Sequence, residues 1–354
     1  MKTTFNSKEF EKSKIYEKLD YLPEPKDYKG QIPWKVQQQI AATNGIHYRS
    51  AVGKLKKFPI PKIPLPEVKN NELLLDIGNG WGRWLVGAGK KGYIPVGIDL
   101  RLEFCETARE VLYLNGLNGY TVVADLGELP FKEGVFDAVW SFSVIQHTHK
   151  TRFISCANHI YRILKKNGYC FLEFPSKTGL WNRSGPARKS AKEKDDYNSW
   201  CVRYYSIADY KGIFLNLFKN FSFRNHSFFG IGVLENDLDY VAGLKNKLIV
   251  ITSLFFSKVA TVIKPLKYLS DSIYIKSIKK EGLETQKAVD TFKQLHLKDP
   301  KNNLNIVSLL RCPISGDELI LDSTREKLIS TAAKVFFPVV NNIPILVKTE
   351  AVSI

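Results

Sequence analysis

LLLDIGNGWGRWLVGAG, residues 73–89, places an acid, Asp76, two residues ahead of a row of alternating glycines, Gly78, Gly80 and Gly82. The apolar run around the acid reads as a buried strand, and RWLVGAGKKG reads as a helix closed by glycine. Glycines in the turn between them allow positive φ and close approach of a ligand to the backbone. A dinucleotide fingerprint would read GxGxxG and seat a diphosphate on the helix N-terminus. Here the third glycine comes one residue early. A carboxylate at Asp76 also disfavours an anionic guest and favours a cationic one. S-adenosylmethionine carries an ammonium and a sulfonium and no phosphate, so it meets both conditions.

The pattern repeats outward from this stretch. IPVGIDL, YTVVAD, FDAVWSFS and YCFLEF read as strands, and RLEFCETAREVLYLNG and FISCANHIYRILKKNG read as the helices between them. Buried strands joined by helices predict an α/β chain with a parallel, doubly wound sheet, whose ligands bind beyond the carboxyl ends of the strands. Asp99 closes the second strand 19 residues after Gly80, where its carboxylate suits two ribose hydroxyls. Asp125 closes the third, where its side chain and the amide of Leu126 suit an adenine edge. One strand-end Asp alone is commonly a cap or turn former. Three at consecutive strand ends form a constellation.

These segments together resemble the class I S-adenosylmethionine-dependent methyltransferases, in particular their small-molecule, type 11 branch. The matching motifs are LLLDIGNGWGRW, PVGIDL, VVADLGELPF, FDAVWSFSVIQHT and IYRILKKNGYCFLEFPS. The resemblance implies a Rossmann-like, seven-stranded sheet with the last strand antiparallel, which FSFRNHSFF and SIYIKSIK would complete. It implies that Asp76, Gly78, Asn79 and Gly80 line the methionine end of the cofactor and that Asp99 and Leu100 take the ribose. Asp125 and Leu126 would take the adenine, with Trp140 and Ser141 beneath the sulfonium and Gln146 and His147 just beyond. An oxygen acceptor needs its proton removed, and histidine suits that task. His147 is the leading candidate base, ahead of His149, His226 and Glu173; each also has a plain structural reading as a cap or packing residue. WCVRYYS, residues 200–206, reads either as a lid with Arg203 and Tyr204 facing the acceptor or as packing at the sheet edge.

The 354 residues carry a net charge of +17, unevenly spread. Residues 71–175 are neutral, whereas 1–70 hold a net of +7 and 176–300 a net of +9. Basic flanks suit an anionic membrane or nucleic acid, although a lysine-rich proteome would produce the same balance. The five cysteines form no CxxC and are odd in number, which argues against a disulfide framework and for a reducing, cytoplasmic setting. The charged start of the chain does not read as a signal peptide. No uncharged apolar run approaches the ~18 residues of a membrane span. KLIVITSLFFSKVATVIK reads as an amphipathic helix, an insertion at about 245–265, with Lys247, Ser253, Ser257, Thr261 and Lys264 on one face.

Boundaries are expected near 70 and 300: a helical and extended arm over 1–70, the methyltransferase unit over 71–280, a linker or polar helix over 281–303, and a small, mostly β module over 304–354. LLRCPISGDELILD and FFPVVNNIPILV resemble the zinc-ribbon-like activator subunit of tRNA, rRNA and release-factor methyltransferases. Cys312, Pro313, Gly316, Leu319, Phe337-Pro338 and Ile343-Pro344 match that family. Its second cysteine is Ser315 here and no cysteine pair precedes Phe336, so no metal site is expected, since tetrahedral zinc needs four ligands. The sequence therefore predicts methyl transfer to a hydroxyl or amine of a small or medium-sized metabolite, with a sugar or lipid-linked glycan as the leading acceptor. The alternatives are an RNA- or ribosome-directed methyltransferase and a non-catalytic scaffold that activates a partner enzyme.

Overall fold

The computed structural model describes residues 23–44, 48, 51–69, 71–185, 201–230, 234–241, 243–282 and 285–354. Residues 1–22 of the expected arm, and Trp200 of the expected lid, lie outside the described residues.

Seven strands form the centre: β1 (Leu73–Ile77), β2 (Ile94–Asp99), β3 (Tyr120–Ala124), β4 (Phe136–Phe142), β5 (Leu164–Pro175), β6 (Ser222–Ser227) and β7 (Ser272–Ile278). Their order is β6-β7-β5-β4-β1-β2-β3. β7 runs antiparallel to both its neighbours, and the pairs from β5 through β3 are parallel. The order reverses at β1, which lies between β2 and β4, so a crevice opens beyond the carboxyl end of β1. The glycine row begins there.

Helices cover both faces. α1 (Trp34–Thr43), α2 (Arg83–Gly89) and α3 (Leu102–Leu114) bury Ile40, Leu85 and Val111 against one another on one face. On the other face, α4 (Lys150–Ile163), α5 (Ile207–Phe218) and α7 (Gln286–Lys298) bury Phe153, Phe214 and Phe292; α6 (Leu244–Val262) stands against β6. The expected arm is thus partly built into the fold. α1 roofs α2, with the Trp81 indole donating to Asn44 at 3.1 Å, and the proline-rich stretch after it presses Ile63 and Leu65 against Trp84.

The stretch 281–303, expected as a linker or polar helix, packs into the structure rather than bridging two units. α7 buries Ala288, Val289 and Phe292, and the Tyr120 hydroxyl meets His296 Nδ1 at 2.7 Å. The tail contributes β8 (Ile320–Leu321), β9 (Lys327–Ser330), β10 (Val335–Val340), β11 (Ile343–Leu346) and β12 (Val352–Ser353). β11 lies parallel to β3 with Ile345 opposite Val123, so the central sheet runs on through β11, β10, β9 and β8. Asn341 and Asn342, both at positive φ, close the β10–β11 hairpin; asparagine tolerates this geometry better than most residues. Asn303 clamps the junction. Its amide accepts from Thr121 N at 2.9 Å, donates to Thr121 O at 2.9 Å and donates to Asn342 O at 2.8 Å. A sheet edge with unpaired backbone groups needs such cover.

Candidate functional site

All three glycines of the opening row adopt positive φ, at 78°, 48° and 93° for Gly78, Gly80 and Gly82. They meet different neighbours. A Cβ at Gly78 would lie 2.4 Å from Val144, and one at Gly82 would lie 2.9 Å from the Ala108 backbone of α3. These two glycines allow close packing within the protein. Among the described residues, a Cβ at Gly80 would meet nothing nearer than Thr43, at 3.9 Å. Gly80 faces open space, which is where a ligand can approach main chain.

Asp76 is fully buried, and among the described residues no group hydrogen-bonds either carboxylate oxygen. Burial pushes its carboxyl up to about 8; the nearby Arg83 guanidinium opposes this and Asp99 adds to it. A buried carboxylate left without donors is costly unless a partner arrives. Asp99 accepts from Gly80 N at 3.1 Å on one oxygen and from Arg101 N at 3.2 Å on the other. Each carboxylate oxygen retains a further acceptor site. Burial raises the Asp99 carboxyl, with the Arg101 and Gly80 amides pulling it back. Asn79 is buried, with its amide donating to Gly80 O at 2.7 Å, and Leu100 is half-buried beside it. Asp125 is more committed than the sequence suggested. It caps the turn Leu126–Glu128 through Gly127 N at 2.8 Å and pairs with the Arg152 guanidinium.

Trp140 and Ser141, expected beneath the sulfonium, turn their side chains into the fold. Alternation along β4 sends Trp140 into an aromatic cluster with Trp84, at 4.9 Å between ring centroids. On the opposite face, Ser141 donates to Ile77 O at 3.0 Å. Any role of this pair at a ligand therefore belongs to its backbone. His147 lies in the short helical turn Ile145–His147 after β4. Burial draws its imidazole down to about 4, with hydrogen bonds to the Cys201 and Ser143 backbone opposing and Arg203 adding to the fall. It is neutral at pH 7 and able to accept a proton only weakly. Arg203 donates through its backbone to Gln146 O and through its guanidinium to His147 O, each at 2.9 Å. Arg203 thus fixes the His147 turn. His149 caps α4 by accepting from Thr151 N, a structural role.

A second buried carboxylate lies near the end of β5. Glu173 accepts from Ser143 Oγ at 2.6 Å and from Ser272 Oγ, tying the ends of β4, β5 and β7 together. Burial raises its carboxyl, and the Ser143 and Ser272 hydroxyls and the Arg83 charge lower it. His226 is drawn down to about 3 by burial and the Arg224 and Arg83 charges, and its ring is tilted against Tyr274 at 4.6 Å between centroids. Arg83 is the common neighbour: its charge acts on Asp76, Glu173, His226 and Tyr274, and its guanidinium lies 5.1 Å from the Trp84 and Phe142 rings. The sequence reading passed over Arg83, although its place directly after Gly82 was the available signal. It also passed over Arg152, whose ion pair with Asp125 spans 27 positions.

Among the described residues, no group of three or more His, Cys, Asp or Glu side chains is arranged to hold a metal ion. In the tail, Cys312 is buried; burial raises its thiol, and the polar surroundings at Ser315 and Ser330, with the backbone at Ile314 and Ser315, bring it below its ordinary value overall. Among the described residues no helix is long and apolar enough to cross a membrane.

Residues 75–172 match a family described as a methyltransferase domain. A C-terminal part of the chain is similar to UPF0434 proteins. That of Pseudoalteromonas translucida is 39% identical over 46 residues, which is 13% of this chain and 71% of that protein. That of Hydrogenovibrio crunogenus is 43% identical over 53 residues, or 15% and 73%. Among solved structures, a SAM-dependent methyltransferase of Thermotoga maritima superposes over 61% of this chain and 84% of its own, with 18% identity and a TM-score of 0.40.

Proposed function

Because this chain is an S-adenosylmethionine-dependent methyltransferase whose C-terminal part belongs to the UPF0434 family, we propose that it methylates a hydroxyl or amine of a small or medium-sized metabolite, with a sugar or lipid-linked glycan as the leading acceptor. One observation supports the placing of the donor: the buried, donor-free carboxylate of Asp76 beside the open space over Gly80. The bound donor supplies an electrophilic methyl group on a sulfonium whose sulfur leaves with the bond pair. Asp76 would hold a cationic group of the donor, the spare acceptor sites of Asp99 its ribose hydroxyls, and the amides beyond Asp125 its base. Asp125 itself positions that turn through Gly127 and Arg152.

On the acceptor side, His147 is a neutral hydrogen-bond acceptor at pH 7, and Glu173 anchors the strand ends through two serines. With its basicity lowered, His147 would accept a hydrogen bond from a hydroxyl or amine and orient its lone pair rather than act as a strong base. An RNA acceptor is the second reading, favoured by the net charge of +9 over residues 176–300. The discriminating experiment incubates the protein with labelled methyl donor and separated cell fractions. Label in sugars or lipid-linked glycans supports the first reading, and label confined to RNA overturns it.

A further inference from the structure

The helix α6 is mounted with two serines, Ser253 and Ser257, turned inward. Ser253 Oγ accepts from Phe228 N at 2.9 Å, Ser257 Oγ donates to His226 O at 2.9 Å, and Asn225 donates to Ser257 O at 3.0 Å. Val250 and Ala260 are buried on the same side. The opposite side carries Leu244, Leu248, Ile251, Phe255 and Val262, which are 85%, 61%, 51%, 61% and 80% exposed. Their spacing of four, three, four and seven residues keeps them in one line along a helix of 3.6 residues per turn. Single exposed apolar side chains are ordinary, but a continuous ribbon of five on a helix of 19 residues marks a docking surface. Ile263 and Tyr268, each about half exposed, prolong it.

Charge identifies the occupant. Between Leu244 and Leu269 there are five lysines and no acidic residue. Lys245, Lys247, Lys258 and Lys264 are exposed, and Lys267 lies 4.4 Å over the Phe223 ring. A second copy of the chain seated on the ribbon would bring two sets of lysines together. An RNA would meet the lysines but leave the leucines and the phenylalanine unpaired. A lipid surface with anionic headgroups satisfies both sets at once, and these lysines bar the helix from spanning the bilayer. We propose that α6 is an interfacial helix that docks the enzyme on an anionic bilayer, with the ribbon among the acyl chains and the lysines on headgroup phosphates. The anchor of α6 includes the His226 carbonyl, so the docked helix and the acceptor side share strand β6. The proposal concerns a surface apart from the donor site and holds whichever acceptor is methylated.

The test is co-sedimentation of the full chain with phosphatidylcholine vesicles, with and without phosphatidylglycerol. The expected result is binding to the phosphatidylglycerol vesicles only, weakened by salt. A Leu248→Ser/Phe255→Ser variant should lose roughly tenfold or more in partitioning, and Lys245→Gln/Lys258→Gln about fivefold per charge. Both should retain wild-type calorimetric affinity for S-adenosylmethionine, which reports the intact fold. Absence of vesicle binding overturns the proposal. So does self-association in sedimentation velocity that Leu248→Ser/Phe255→Ser abolishes while vesicles remain unbound. Binding to RNA alone, unchanged by the apolar substitutions, overturns it equally.

Discussion

Asp76→Asn tests the assignment of the donor site through protons. In the donor-free protein burial holds the Asp76 carboxyl near 8, against 3.8 in a solvated chain, with Arg83 and Asp99 the charges that act on it. The folded protein therefore keeps a proton that the unfolded chain releases. Folding stability should fall as pH rises from about 4 to about 8, by on the order of 5 kcal/mol from this group alone. A cationic donor reverses the preference, because only the ionised carboxylate attracts it, so binding below pH 8 must expel a proton. At about pH 6 roughly 1% of Asp76 is ionised and at about pH 7.5 roughly a quarter, so donor affinity should tighten about 20-fold between them. Calorimetric titration of S-adenosylmethionine in two buffers of different ionisation enthalpy counts the proton directly. The asparagine variant should bind about 10- to 100-fold more weakly near pH 7.5, having lost a hydrogen bond to a charged group. It should show no such pH dependence, and it should melt higher than wild type at pH 8. Wild-type binding without proton release, or an unchanged affinity in the variant, would refute the reasoning.

Four further outcomes separate the roles of other residues. Gly80→Ala adds a methyl to open space at φ 48°, so it should fold with a loss of about 1 kcal/mol yet bind the donor at least roughly tenfold more weakly. Gly82→Ala, whose methyl meets the Ala108 backbone at φ 93°, should cost about 2–4 kcal/mol in denaturant unfolding. Asn303→Ala strips the Thr121 amide and carbonyl of their partner and should cost about 3 kcal/mol, with limited proteolysis then releasing the C-terminal strands. With the acceptor in hand, His147→Gln should lower kcat about 100-fold or more if the imidazole takes the proton. The wild-type profile should show no inflection from His147 between pH 6 and 8, because its imidazole is neutral above about 4; an unaffected kcat would remove it from the chemistry.

What was legible in the sequence was local. The Asp76-to-Gly82 spacing, the acids at Asp99 and Asp125 and the alternation of strands and helices are properties of neighbours along the chain, and they carried the fold. The missing parts depend on residues that meet only in space. Nothing in the row itself separates Gly80, which faces open space, from Gly78 and Gly82, which make room for Val144 and Ala108. Asp125 reads as a ligand group until Arg152 arrives from α4 to pair with it. The periodicity of α6 shows two faces but not which is buried. Serines turn inward there because the backbone at His226 and Phe228, at the end of β6, offers hydrogen-bond partners that apolar side chains would leave unsatisfied.

The tail draws its order from the central sheet. A ribbon of about 50 residues has too little core to stand without a staple. Around Cys312 the side chains satisfy one another. Ser315 and Ser330 both donate to Asp317, and the Cys312 and Gly316 amides close the turn, at 2.8 Å to Asp317 O and 2.9 Å to Cys312 O. Such a knot orders a loop but buries little. The larger contribution comes from β11, which joins the open edge of β3 and sets Ile343, Ile345 and Val347 against Leu102, Cys105 and Val123. The tail therefore shares its core with the central sheet rather than relying on its own.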